Sequence, residues 1–176
     1  MTARFSRAAE AVLRDAGWTP GRDVSTATAE AIRRTEQRVG AGGARLRSFA
    51  AAVAALNEFG GLAVVPKEPG VDHVPQPFAF DPLLAPVCAE TLADVATVLG
   101  VPLYPLGVEG DLAALLAIDE RGRVFSIDYT GEWFLGATTD AAIETLVTGR
   151  RPPRLRDDGT WPDPAGTDEP PGRSAR

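Results

Sequence analysis

Chemistry in this chain of 176 residues would have to begin with its rarest reactive side chains, one cysteine (Cys88) and one histidine (His73). A thiolate nucleophile needs a base, and the base needs a group that orients it. His73 would have to act as both base and acid, and no orienting partner is identifiable beside it. Cys88 reads as a packed residue at a helix start and His73 as a loop residue near Pro75. Zinc in a Cys/His set is excluded by count. No stretch has the alternating oxygen ligands and central glycine of a calcium loop. The expectation is no catalytic residue, no metal and no cofactor.

Carboxylate pairs can be drawn, Asp119 with Glu120 and Asp128 with Glu132. Hydrolytic carboxylates need opposed placement across a cleft and separated pKa values, so turn formation and solvation are the better reading. Gly40-Ala41-Gly42-Gly43 has no strand before it and no Lys-Ser/Thr after it, so it is a loop and not a phosphate cradle. Arg33, Arg34 and Arg38 share a helical surface but lack an aromatic platform for bases, which favours a solvated helix face. Trp18 and Trp133 read as packing residues, while Trp161 has no obvious core to join.

Charge is unevenly distributed along the chain. Net charge is −6, yet residues 1–60 carry nine Arg against six acids and residues 150–176 carry six Arg against five acids. Residues 61–149 hold 13 acids and three basic residues, a net −10. Such a field disfavours nucleic acid and favours a basic partner; the alternative is that the acids serve only to keep the domain soluble. Exposed acids near turns are the natural contacts, namely Asp111, Glu120, Asp128 and Glu132. The opening MTARFSRAAEAVL is interrupted by Arg7, Glu10 and Arg14 and lacks the apolar core of a signal peptide. No window approaches a membrane span. With a single thiol, these features set the expectation of a cytoplasmic protein.

The elements that must carry these residues follow from periodicity. A first helix begins at an N-cap Ser6, buries Val12 and Leu13, and stops at Gly17. A second covers roughly 28–38, capped by Ser25, Thr26 or Thr28, with Ile32 and Val39 apolar. A third, near 45–59, has a stripe of Leu46, Phe49, Val53 and Leu56. Short strands follow at Leu62–Val65 and Phe78–Phe80, then a helix near 89–99 closed by Gly100. Pro102 and Pro105 argue that 101–107 is a sheet edge or a connection. Leu112–Ile118 and 124–129 form a hairpin around Asp119–Gly122, with strand 112–118 covered on both faces. Trp133–Leu135 extends the sheet, and Thr138 or Thr139 caps a last helix ending at Gly149. The domain is placed at 1–152, with 153–176 a flexible Pro-rich tail. Helices first, then strands with one helix between, predict an α+β fold, a mainly antiparallel sheet with helices packed against it.

Several landmarks occur together in order: Arg4-Phe5-Ser6, Asp15-Ala16-Gly17-Trp18-Thr19-Pro20-Gly21-Arg22, Glu58-Phe59-Gly60-Gly61-Leu62, Phe78-Ala79-Phe80-Asp81-Pro82, Leu103-Tyr104-Pro105-Leu106-Gly107, Ala117-Ile118-Asp119-Glu120-Arg121-Gly122, and Trp133-Phe134-Leu135-Gly136. Over residues 4 to about 152 the chain resembles the SUKH-3 immunity proteins, a branch of the SMI1/KNR4-like (SUKH) superfamily. The Gly/Ala/Arg-rich stretch 40–47 and the Pro-rich tail depart from the pattern. The resemblance implies an SMI1/KNR4-like fold, a bacterial origin, and a protein that binds and neutralises a cognate toxin, often a nuclease or deaminase. It implies no catalytic residue. The alternative is a scaffold or regulatory protein-binding domain of the same superfamily, distinguished by a genomic neighbour that is no toxin. An enzyme would need a concave site with converging polar groups and perturbed pKa values.

Overall fold

The computed structural model describes residues 4–162 apart from 41 and 87. Along them run α1 (Arg7–Asp15), α2 (Ser25–Gln37), α3 (Ala50–Phe59), β1 (Ala63–Val64), β2 (Phe78–Ala79), α4 (Ala89–Leu99), β3 (Leu103–Glu109), β4 (Ala114–Asp119), β5 (Val124–Asp128), β6 (Gly131–Gly136) and α5 (Thr139–Thr148). The strands form one sheet in sequence order, β1-β2-β3-β4-β5-β6, with every neighbouring pair antiparallel. The expected α+β architecture is the one observed, and it agrees with an SMI1/KNR4-like fold.

Alternation along the strands divides side chains between two apolar clusters. Val64, Phe78, Tyr104, Leu116, Ile118 and Val124 join the larger cluster with residues of α1, α2, α3 and α5. Leu103, Leu115, Ala117, Phe125 and Ile127 face the other way, toward Leu92 and Val95 of α4. All six residues of β4 are buried, as a strand covered on both sides requires. Local signals hold the helix ends. Ser6 Oγ accepts from the Ala9 N–H (3.2 Å), and Thr138 Oγ1 accepts from that of Ala141 (3.2 Å). Trp18 packs edge-on to Phe5 at 5.4 Å and donates Nε1–H to Glu58 (3.1 Å).

Five sequence expectations need correction. First, 103–109 is an interior strand between β2 and β4, not an edge or a connection. Its proline is tolerated because β2 pairs only with Val108 and Glu109, leaving Pro105 without a neighbour on that side, and because a register shift lies between Pro105 and Gly107. Gly107 is required there, since a Cβ would lie 1.8 Å from the Ala79 carbonyl oxygen. Second, α3 starts at Ala50 instead of 45. Glu36 Oε1 accepts from both Ser48 N (2.7 Å) and Ser48 Oγ (2.7 Å), which fixes the preceding chain in a non-helical path. Leu46 and Phe49 still pack on the core, but from outside the helix.

Third, α2 begins at Ser25 with no side-chain bond from its N-cap, and Asp23 Oδ1 takes the Ser25 N–H (2.8 Å). Val39 is exposed, and Arg38 donates to the Leu83 and Ala85 carbonyls (2.8 Å each), so Arg38 clamps a loop and is not part of a solvated face. Fourth, Leu112 belongs to the β3–β4 turn, not to β4. Fifth, residues 153–161 stay against the sheet. Phe134 N–H donates to Pro153 O (2.9 Å), Leu155 N–H donates to Glu132 O (2.8 Å), and Arg154 bridges Trp133. Leu155 is buried, and Trp161 stacks on Phe134 at 4.2 Å. These residues form a strap along β6. The rest of the expected tail, 163–176, lies outside the described residues.

Candidate partner-binding surface

The turns at the two ends of β4 put different chemistry at the two ends of the sheet. At the far end, Asp119 is wholly buried. Its Oδ1 accepts from the Arg121 and Arg123 N–H groups (2.9 Å each), and its Oδ2 pairs with Arg123 Nε (2.6 Å). At the near end, Asp111 and Leu112 are the two non-glycine residues with positive φ among the described residues, 51° and 69°. Left-handed backbone costs an L-residue about 1–2 kcal/mol. Leu112 nevertheless takes it while 60% exposed. An apolar side chain held strained and in water gains nothing from the fold, and such outliers concentrate where a protein meets something else.

Neighbouring segments share this character. The loop 65–77 is pinned where the Val71 N–H donates to the Thr148 carbonyl (2.8 Å) and those of Asp72 and His73 donate to Gly149 (2.9 and 3.1 Å). It closes on the β3–β4 turn through Gly110 N–H to Pro77 O (2.8 Å). Val65, Val71, Val74 and Tyr129 are all exposed here, Tyr129 at 96%. Between the loop, the sheet and the end of α5 lies a cleft of about 320 Å³ lined by His73, Glu109, Ser126, Asp128, Trp133 and Arg151, among others. Ser126 Oγ donates to Glu109 Oε2 (2.9 Å). Burial, more than the neighbouring Asp128 charge, pushes the Glu109 carboxyl above its ordinary range, against the Ser126 bond and the nearby His73.

This is a concave site with a perturbed carboxyl, the feature an enzyme would need. Its hydrogen bonds do not make a nucleophile, because Ser126 donates to Glu109 and His73 bonds neither of them among the described residues. Cys88 packs in the α4 cluster, away from the cleft, where burial raises its thiol to about 11 and keeps it protonated. The described residues contain no group of three His, Cys, Asp or Glu side chains able to hold a metal.

The four acids chosen from sequence do not converge. Asp111 is exposed in the near turn, and Glu120 is exposed at the opposite end of β4, roughly 20 Å away for a six-residue strand. Asp128 lines the cleft, and its Oδ1 organises the next turn by accepting from Thr130 N (2.6 Å) and Gly131 N (3.2 Å). Glu132 pairs with Ile127 and so lies on the α4 side of the sheet, away from Asp128. Sequence reasoning missed Glu109, His73 and Leu112 as members of one end. The positive φ at Leu112 has no residue-type signal, and the bulge at Pro105/Gly107 shifts the phase that decides where Glu109 points.

The described residues thus form an all-antiparallel sheet backed by helices, with exposed apolar and acidic side chains on its turns. The model of the SUKH-3 immunity proteins matches residues 5–149, and the chain belongs to that family. SUKH-3 immunity proteins are non-catalytic. No curated protein and no solved structure matches the chain. Among the described residues no helix is long and apolar enough to cross a membrane.

Proposed function

We propose that this protein neutralises a cognate bacterial toxin in the cytoplasm by binding it non-covalently, without catalysis or cofactor. The observation that carries the reading is family membership over residues 5–149, nearly the whole described fold. The toxin presents a basic surface, as the active region of a nuclease would, and electrostatic complementarity to the acidic 61–149 segment steers the encounter. Asp111, Asp128 and Glu132 contribute from the near end of the sheet. Glu120, at the other end, contributes least.

Co-expression with the toxin encoded beside it is the test. Growth should be restored and a stable complex should co-purify, with an association rate that falls as salt rises. Undiminished toxicity and no complex would reject the proposal. A neighbouring gene that is no toxin would favour a scaffold role for the same fold.

A further inference from the structure

We infer that the toxin docks on an apolar groove over β1, β2 and the end of β3, walled by the Asp111–Leu112 turn, and inserts an apolar side chain flanked by a basic one. This inference rests on the toxin-neutralising reading above. Strand pairing sets Ala63, Ala79 and Val108 in one row on the side of the sheet opposite the larger core. On that side α4 and the strap pack toward β3–β6, and among the described residues the row at β1 and β2 has no such cover. The result is an open groove of about 410 Å³. Val65 and Leu112 stand at its walls, 59% and 60% exposed.

The charge around the groove selects the occupant. Among the described residues no lysine or arginine lines it, and the charged side chain at its wall is Asp111, since Glu109 borders it only at the strand end and turns its carboxyl to Ser126 on the opposite side of the sheet. Glu132 stands in the same register row at the far side of the sheet, separated from the groove by Leu115 and Ile127, which α4 and the strap cover. Neither Asp111 nor Glu132 takes a salt bridge among the described residues. An apolar seat with an exposed acid, Asp111, at its wall fits an apolar knob beside Lys or Arg, and it repels an acidic surface. A second copy is a poorer fit, because a two-fold pairing would bring the same acidic rim against itself. Residues 163–176 offer only Ala165 and Ala175 as apolar side chains besides proline, too little to fill the groove.

The test is titration calorimetry of the full chain against the toxin encoded beside it, with thermal melting as a check on folding. Leu112→Asn should weaken binding about tenfold or more, consistent with loss of a well-packed apolar contact. Ala79→Arg, which fills the groove and repels a cation, should weaken it about a hundredfold or more. Arg33→Gln, on the exposed face of α2 and across the sheet from the groove, should leave affinity within about twofold. If the unsubstituted chain binds and both groove variants bind equally well, the docking surface is wrong while toxin neutralisation stands. If the unsubstituted chain forms no complex, the underlying reading fails and takes this inference with it. A concentration-dependent dimer abolished by Ala79→Arg would assign the groove to a second copy and overturn the proposal. So would a gain in affinity on ending the chain at Pro162.

Discussion

The two turns of β4 solve the same geometric problem in opposite ways. At Asp119–Gly122 the demands of the turn are met internally, although the paired Arg123 keeps its buried Nη2 without a hydrogen-bond partner among the described residues. The carboxylate is buried and ion-paired, two N–H groups are capped by it, and the left-handed position falls to Gly122 (φ 87°). At Gly110–Ala113 one left-handed position falls to a glycine, but the next two go to Asp111 and Leu112, whose side chains face water. One turn is built for the fold alone. The other keeps a conformational cost that the fold does not recover.

Substitutions can break this contrast, and the largest effect belongs to the buried turn. Asp119→Ala leaves Arg123 largely buried without its partner and two N–H groups uncapped, and it should cost about 3–5 kcal/mol in urea unfolding. A loss near zero would show that the pair is not needed to hold the turn. Gly122→Ala meets no atom within 4 Å, so only backbone strain acts, and stability should fall by about 1 kcal/mol. Leu112→Asn, in the other turn, should have the opposite sign. Asparagine tolerates left-handed backbone, and a gain of about 0.5–1 kcal/mol is expected alongside weaker toxin binding. A loss of stability there would mean that Leu112 serves the core.

The smallest effect concerns Glu109, at the strand end that enters the exposed turn. Its folded pKa lies above the ordinary value of 4.5, chiefly through burial. The folded state therefore binds this proton more tightly than the unfolded chain, and stability from this group declines as pH rises through the raised range. Glu109→Gln should be the more stable protein at neutral pH, with the advantage vanishing as pH drops below about 4.5. His73, Asp128, Arg150 and Arg151 line the same cleft and remain in both proteins, so comparison of the two melting profiles isolates Glu109.

Sequence reading succeeded where structure is decided within a few residues. The caps at Ser6 and Thr138, the stops at Gly100 and Gly149, and the turn at Gly122 are local events, and each lies where its residue type places it. It failed where a distant partner decides. Ser48 is held by Glu36 across a loop, Pro105 is tolerated because β2 is short, and 153–155 is ordered by pairing with β6. The candidate surface was legible only in part. Asp111 was chosen for its charge, but Leu112 beside it reads as a strand residue until its backbone angle is known.

The strap along β6 also limits how molecules can join. A sheet with two bare edges can add neighbours on both sides and so grow without end. Here the chain's own residues 153–155 occupy the outer side of β6, leaving at most β1, a strand of two residues, available for pairing. Strand-to-strand addition at the middle of β6 would have to displace this strap first. The strap thus does for β6 what a further strand would do, without itself being one of the six strands of the sheet.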